Sequence, residues 1–202
     1  MGLIYANLSM SLDGYIAGPN VTVENGMGDD GDRLHDWMFV GKSAEEASAY
    51  LADQLASVGA FVMGRTMLDV GIAPWGDDPV FHGPVFVVTH RPAEPIRKDG
   101  GTTYTFVTDG LEAALAMARA AADGRDIRIM GGAEIVRESL RAGVIDELRL
   151  DVVPILLGGG TPLFTGPEDR ALELTADGSV DASGVAHLRC AVRVAHATAS
   201  TL

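Results

Sequence analysis

The sequence predicts an α/β fold, with a mostly parallel central sheet, helices on both faces and a C-terminal antiparallel hairpin. Two observations carry this prediction. From residue 3 to residue 157 short apolar runs alternate with stretches of helical periodicity, the pattern of strands joined by crossover helices. Beyond residue 170 the alternation stops, and two strand-like runs follow with no helix between them.

Taken in order, Leu3–Ser11 reads as a first strand, dense in apolar residues as a buried strand is. Residues 12–42 are irregular and rich in Gly and Asp ("NGMGDDGDR"), longer than an ordinary connection. Their opening, "SMSLDGYIAGPN" at 9–20, reads as a turn at Asp13-Gly14 and the start of a lid. Ser43-Ala44-Glu45-Glu46 has capping-box spacing, and Ala47, Tyr50, Leu51, Leu55 and Val58 follow at helical intervals. Apolar runs at 60–63, 85–88, 104–107 and 127–130 predict strands. Asp109, with Glu112 three residues on, caps a helix whose buried stripe is Leu111, Ala114, Leu115 and Ala118. A second helix runs from Ala133 to Ala142 and stops at Gly143. "ELRLDVVPILLG" is a further strand, interrupted by Asp151. Runs at 171–176 and 185–195 form the hairpin. In the second, Leu188, Cys190, Val192 and Val194 alternate with His187, Arg189 and Arg193, which predicts one wet face.

At 202 residues and 47% hydrophobic, the chain holds enough apolar surface for one domain spanning 1–202. A net charge of −13 argues against a nucleic-acid partner, which calls for clustered Lys and Arg. No apolar stretch reaches the length of a membrane span. One cysteine, Cys190, excludes an internal disulfide and fits a reducing cytoplasm. His35, His82, His90, His187 and His196 are scattered without metal-ligand spacing, so no metal is expected. No Gly-x-Ser-x-Gly elbow, Walker A sequence or Gly-x-Gly-x-x-Gly fingerprint occurs.

Three strand-to-helix junctions remain: "FVMGRTMLD", "FVVTHRP" and "IRIMGGAEIV". In an open α/β sheet the carboxyl ends of parallel strands face a common crevice where ligands bind. Glycines admit a phosphate to the backbone, helix N-termini favour anions, and the guanidinium fork of Arg65 or Arg91 matches phosphate oxygens.

The stretches "SMSLDGYIA", "VMGRTMLD", "VFVVTHRP" and "IMGGAEIVRESLRAGVIDELRLDVVPILLGGGTPLF" occur in an order that resembles the dihydrofolate reductase-like superfamily. The similarity is to its branch containing the C-terminal reductase domain of riboflavin biosynthesis, and it covers roughly residues 3–165. The resemblance implies a dihydrofolate reductase-like three-layer fold and hydride transfer from NADPH to a pterin- or aminopyrimidine-like heterocycle or a carbonyl-type substrate. It further implies a homodimer. On this likeness Gly64, Arg65 and Thr66 meet the adenosine-side phosphates, although Thr66 follows Arg65 directly where the family has a residue between. Thr89, His90 and Arg91 meet the adenosine ribose and its 2′-phosphate. Gly131, Gly132, Ala133, Glu134 and Ile135 form the diglycine turn under the pyrophosphate, and Ser9, Ile16 and Ala17 meet the nicotinamide.

The chain also departs from the pattern. Glu45, Glu46 and Asp53 do not fit the spacing of the first-helix carboxylate of dihydrofolate reductases, and Met130 stands where the riboflavin-pathway enzymes have Glu. For the proton donor the sequence offers Asp13, whose alternative is turn chemistry with Gly14, and Asp151, whose alternative is a solvent-facing strand bend. Trp37 either stacks on a substrate ring or anchors the core. Two other functions stay open: a non-catalytic NADPH- or small-molecule-binding protein on the same fold, and a phosphorylated-sugar site.

Overall fold

The computed structural model describes residues 2–39, 43–166, 172–180 and 184–194. Its centre is a nine-stranded sheet. In chain order the strands that matter first are β1 (Ile4–Ser11), β2 (Tyr15–Ala17), β3 (Val58–Gly64), β4 (Pro84–Val88), β5 (Ile96–Arg97) and β6 (Thr103–Val107). They are followed by β7 (Asp126–Gly131), β8 (Glu147–Val153), β9 (Thr161–Pro162), β10 (Leu172–Val180) and β11 (Ala186–Val194). The large sheet runs β10-β11-β8-β1-β7-β3-β4-β6-β5. Its six central strands, β8 to β6, are mutually parallel. Strand β11 lies antiparallel to β8, and β10 antiparallel to β11. The predicted parallel core and terminal hairpin are therefore both present.

Helices α1 (Ser43–Ala56), α2 (Arg65–Gly71), α3 (Gly110–Ala122) and α4 (Ala133–Arg141) cover the two faces. Leu111, Ala114, Leu115 and Ala118 of α3 and Ile135, Val136 and Leu140 of α4 pack on Ile4, Ala6, Ile127, Ile129, Leu148 and Leu150. On the other face Leu68 of α2 and Leu55 of α1 join Tyr5, Phe61, Met63, Val85 and Tyr104. Strand periodicity separates these sets, because successive side chains point to opposite faces.

Several local expectations need correction. Asp109 does stand at the N-cap of α3, but its side chain makes no capping hydrogen bond, because its backbone is not in the extended conformation that capping uses. Residues 12–39 are not featureless. They hold β2 and two short turns of 3₁₀ helix, Gly31–Leu34 and Asp36–Met38. The opening segment also has a strand partner, since β2 pairs antiparallel with β9, far along the chain. The wet face of β11 is wet only in part. Arg189 and Arg193 are exposed, but His187 is drawn beneath Trp37 and Tyr50. The side chains of the Ser43–Glu46 capping spacing, and His196, lie outside the described residues.

Candidate functional site

Strands β7, β3 and β4 are consecutive in the sheet, so the three glycine- and arginine-bearing junctions lie side by side at their carboxyl ends. Met63 is in register with Gly131, and Gly64 with Val88. The peptide bond between Gly131 and Gly132 is cis. A Cβ on Gly64 would lie 3.7 Å from the Gly132 nitrogen, whereas one on Gly132 would meet nothing within 4 Å. Gly131 is buried, and a Cβ on it would lie 3.1 Å from Met67 Sδ, so it is Gly132 that presents open backbone at the start of α4.

Arg65 and Arg91 come from different junctions and meet at one carboxylate. Arg65 Nε lies 2.7 Å from Asp69 Oδ1, and Arg91 Nη2 lies 3.0 Å from Asp69 Oδ2. The Arg65 guanidinium also sits 5.2 Å over the Phe106 ring, which fixes its plane. Thr89 Oγ1 accepts the Arg91 backbone N–H at 3.0 Å. Two positive charges share one negative charge, and Arg91 keeps 68% of its side chain exposed, so donors remain for an anion. Thr66 and His90 are exposed beside them. Ala133 and Ile135 are buried in the α4 contact, while exposed Glu134 pairs with Arg137 at 2.8 Å. Arg137 also donates to the Pro162 carbonyl at 2.7 Å, tying α4 to β9.

Asp13 organises the turn after β1. Its carboxylate accepts the Ser11 hydroxyl at 2.6 Å and the backbone N–H groups of Leu157 and Gly158 at 3.2 and 2.7 Å. The Ser11 hydroxyl first, then these N–H groups, hold its carboxyl below the usual carboxylate range. Ile16 and Ala17, half-buried in β2, are held against the 158–163 segment by pairing with β9. A Cβ on Gly160 would lie 2.1 Å from the Ala17 carbonyl oxygen, and Gly160 has φ +126°, so only glycine suits this crossing.

Next to Ser9 in the sheet lies Asp151, and next to Asp151 lies His187. Asp151 is 3% exposed, so it does not face solvent at a bend. Its Oδ2 accepts Asn7 Nδ2 at 3.0 Å, and its Oδ1 meets the Tyr50 hydroxyl at 2.9 Å and His187 Nδ1 at 2.7 Å. The amide of Asn7 is oriented unambiguously. Its oxygen faces Arg128 Nη2 at 3.0 Å, a group that can only donate. Burial, with the Asp151 charge beside it, pushes the Tyr50 hydroxyl well above its ordinary pKa, so it stays protonated and donates. Desolvation lowers the pKa of Arg128 while Tyr5 and Asp151 oppose it. Arg149 stacks over the Tyr5 ring at 3.7 Å and pairs with Glu147 and Gln54. Among the described residues, the buried Arg128 Nε and Gln54 Nε2 have no hydrogen-bond partner.

Trp37 closes this polar cluster. It is buried at 5%, with ring centroids 5.3 Å from His187 and 6.1 Å from Tyr50. It also lines an open pocket of about 360 Å³ with Arg33, Asp36, Val153 and Val185. Trp37 is therefore a core anchor whose ring also reaches the lining of that pocket. The sequence reading missed Asn7, Tyr50, Arg128, Arg149 and His187. The usable signal was Arg149 and Asp151 standing at i and i+2 on an otherwise apolar strand, and so on one face. Among the described residues no group of three His, Cys, Asp or Glu is placed to hold a metal. No helix among them is long and apolar enough to cross a membrane.

With this geometry in view, the sequence model of the RibD C-terminal domain family matches residues 3–188. The chain belongs to that family. Among curated relatives it is 24% identical over 173 residues to YyaP of Bacillus subtilis (strain 168), an uncharacterized protein, covering 83% of this chain and 82% of that one. A second uncharacterized protein of that organism, YwjB, is 40% identical over 60 residues, 30% of this chain and 34% of the relative. Solved structures agree on the fold. A candidate riboflavin biosynthesis protein from Shewanella sp. PV-4 superposes with a TM-score of 0.72 at 24% identity, over 95% of this chain and 99% of that one. A pyrimidine reductase-like protein of Corynebacterium diphtheriae gives 0.58 at 16% identity, over 95% and 92%. Dihydrofolate reductase of Enterococcus faecalis, complexed with NADP(H) and RAB-propyl, gives 0.56 at 16% identity, over 95% of each chain. The RibD C-terminal fold is thus dihydrofolate reductase-like, and the family supports a reductase-type function.

Proposed function

We propose that the protein is an NADPH-dependent reductase acting on a small heterocyclic substrate, pterin- or aminopyrimidine-like, or on a carbonyl-type substrate. The observation that carries this reading is the convergence of Arg65 and Arg91 on Asp69, with the open backbone of Gly132 at the end of the neighbouring strand junction. Guanidinium forks suit a 2′-phosphate, and the start of α4 with its glycines suits a pyrophosphate. Gly64, Arg65 and Thr66, with Thr89, His90 and Arg91, would hold the adenosine end, and Ala133, Glu134 and Ile135 continue the diglycine turn. Ser9, Ile16 and Ala17 would receive the nicotinamide. NADPH, when bound, supplies the hydride.

The chain's own part is to orient the rings and exclude water. The substrate would approach the polar cluster next to Ser9, with Trp37 as its aromatic wall. Of the two carboxylates named from the sequence, Asp151 is the stronger candidate, because it lies next to Ser9 in the sheet, where the nicotinamide would be received. A cytoplasmic homodimer is the expected working form, and sedimentation at several concentrations tests it.

The cofactor reading is tested on a 2′,5′-ADP resin and by NADPH fluorescence titration. Wild-type protein is expected to bind. Arg65→Ala combined with Arg91→Ala is expected to weaken NADPH at least tenfold, about 1.4 kcal/mol, and NADH much less. Equal loss for both nucleotides would remove the 2′-phosphate assignment. Binding without oxidation of NADPH on a panel of pterins, aminopyrimidines and quinones would favour the alternative of a non-catalytic binding protein.

A further inference from the structure

Arg65 and Arg91 each spend one N–H on the same carboxylate. Arg65 donates Nε–H to Asp69 Oδ1 at 2.7 Å, and Arg91 donates from Nη2 to Oδ2 at 3.0 Å. Arg65 and Asp69 stand one turn apart on α2, while Arg91 arrives from the segment after β4. Both Nη groups of Arg65, and Nε and Nη1 of Arg91, meet no protein acceptor among the described residues. The side chains of Arg65, Asp69 and Arg91 are 27%, 30% and 68% exposed, so a solute can reach all three.

We infer that Asp69 is a tethered counter-ion for this anion site. It occupies the Arg65–Arg91 pair in the empty protein and is exchanged for the 2′-phosphate when a phosphorylated nucleotide binds. Asp69 thereby sets the affinity for phosphorylated over unphosphorylated nucleotide. This deepens the cofactor reading above and rests on it.

Two guanidinium groups and one carboxylate leave one net positive charge in the empty site. The two oxygens of Asp69, one to each arginine, take the contacts that two phosphate oxygens would take. Because Asp69 is fixed one helix turn from Arg65, any anion from solution competes against a partner already in place. A phosphate monoester brings about two negative charges and three acceptor oxygens. At the same distance it gains about twice the attraction of a carboxylate, and that surplus drives the exchange. Ion pairs as exposed as these are weak, so giving them up costs little. The Phe106 ring beneath the Arg65 guanidinium holds its plane independently of Asp69, so the fork stays in position while its acceptor changes.

The opposite role for Asp69 is structural, a carboxylate that only holds two arginines in place. The two roles differ in sign. If Asp69 holds the arginines, removing its charge weakens every ligand that uses them. If Asp69 is an exchanged counter-ion, removing its charge tightens the phosphorylated nucleotide, because the phosphate then meets two uncompensated positive charges. A nucleotide without the 2′-phosphate makes no use of the pair and is unaffected by the same change.

The test titrates NADPH, NADH and 2′,5′-ADP into the full wild-type chain and into Asp69→Asn, which keeps the side-chain shape and removes the charge. A low-chloride buffer about two pH units above the monoester's second pKa, near 6, keeps the phosphate doubly charged. Asp69→Asn is expected to bind NADPH and 2′,5′-ADP roughly threefold tighter than wild type, with NADH changed less than about twofold. A crystal structure of the wild-type protein with 2′,5′-ADP needs no variant. It is expected to show Arg65 Nε and Arg91 Nη2 donating to phosphate oxygens and no longer to Asp69. An Asp69→Asn variant that binds NADPH no tighter than wild type, or a complex in which both ion pairs to Asp69 persist, overturns the proposal alone. Wild-type protein that binds NADPH no better than NADH overturns the 2′-phosphate assignment and this proposal together.

Discussion

The two faces of the same three strands differ sharply. Toward α3 and α4, strands β1, β7 and β8 present Ile4, Ala6, Ile127, Ile129, Leu148 and Leu150, a continuous apolar layer. Toward α1 the alternate residues are Tyr5, Asn7, Arg128, Arg149 and Asp151, all buried and most of them polar or charged. Apolar burial on the first face drives folding at roughly 25 cal/mol per Å². Burial on the second face is unfavourable unless each group finds a partner. A fold needs only the first kind of layer. The second is the kind of arrangement that chemistry requires, and its cost is offset by the apolar face opposite.

The largest expected effect breaks the apolar face. Leu148 is fully buried there, and Leu148→Ala should lower unfolding stability by about 2–5 kcal/mol in urea titration. Whatever fraction stays folded should bind NADPH with the wild-type Kd. A large loss of affinity per folded molecule would mean that the two faces are coupled through β8.

A smaller loss of stability is expected from the polar face. Asp151→Asn keeps the volume but removes the charge that Tyr50 and His187 meet, and it should cost about 1–3 kcal/mol. Because the Trp37 ring packs on both Tyr50 and His187, its fluorescence should shift in the folded variant, whereas Leu148→Ala should leave it unmoved. A variant more stable than wild type would show that the site stores strain for function.

This contrast also explains what the sequence made legible. Apolar periodicity reports the α3 and α4 face directly, so the alternation of strands and helices and the terminal hairpin were all readable. The clustering of Arg65 and Arg91 was foreshadowed by their equivalent places after neighbouring strands. Their shared carboxylate, Asp69, was not, because it lies one helical turn beyond Arg65 and reads as an ordinary i, i+4 pair. The polar face was nearly invisible. Asn7 sits alone in an apolar run, and Tyr50 fits a helix stripe. His187 looks like a solvent residue until β11 is laid against β8. Long-range pairing made the site, and local pattern carries no record of that pairing.

The smallest effect sharpens the difference between buried and exposed polar groups. Asp13 is exposed, yet its carboxylate joins the end of β1 to the backbone of Leu157 and Gly158. The Ser11 hydroxyl above all holds its carboxyl below the usual range in the folded protein. A carboxyl lowered on folding contributes stability above its unfolded pKa, near 4, and loses that contribution as pH falls through the folded value. Asp13→Asn should therefore reduce the urea midpoint slightly at pH 7, and the gap to wild type should close as the pH falls through the folded value. A gap that persists undiminished in acid would mean that shape, not charge, holds the turn. A carboxyl whose pKa the turn lowers is a poorer proton donor at neutral pH than a free one.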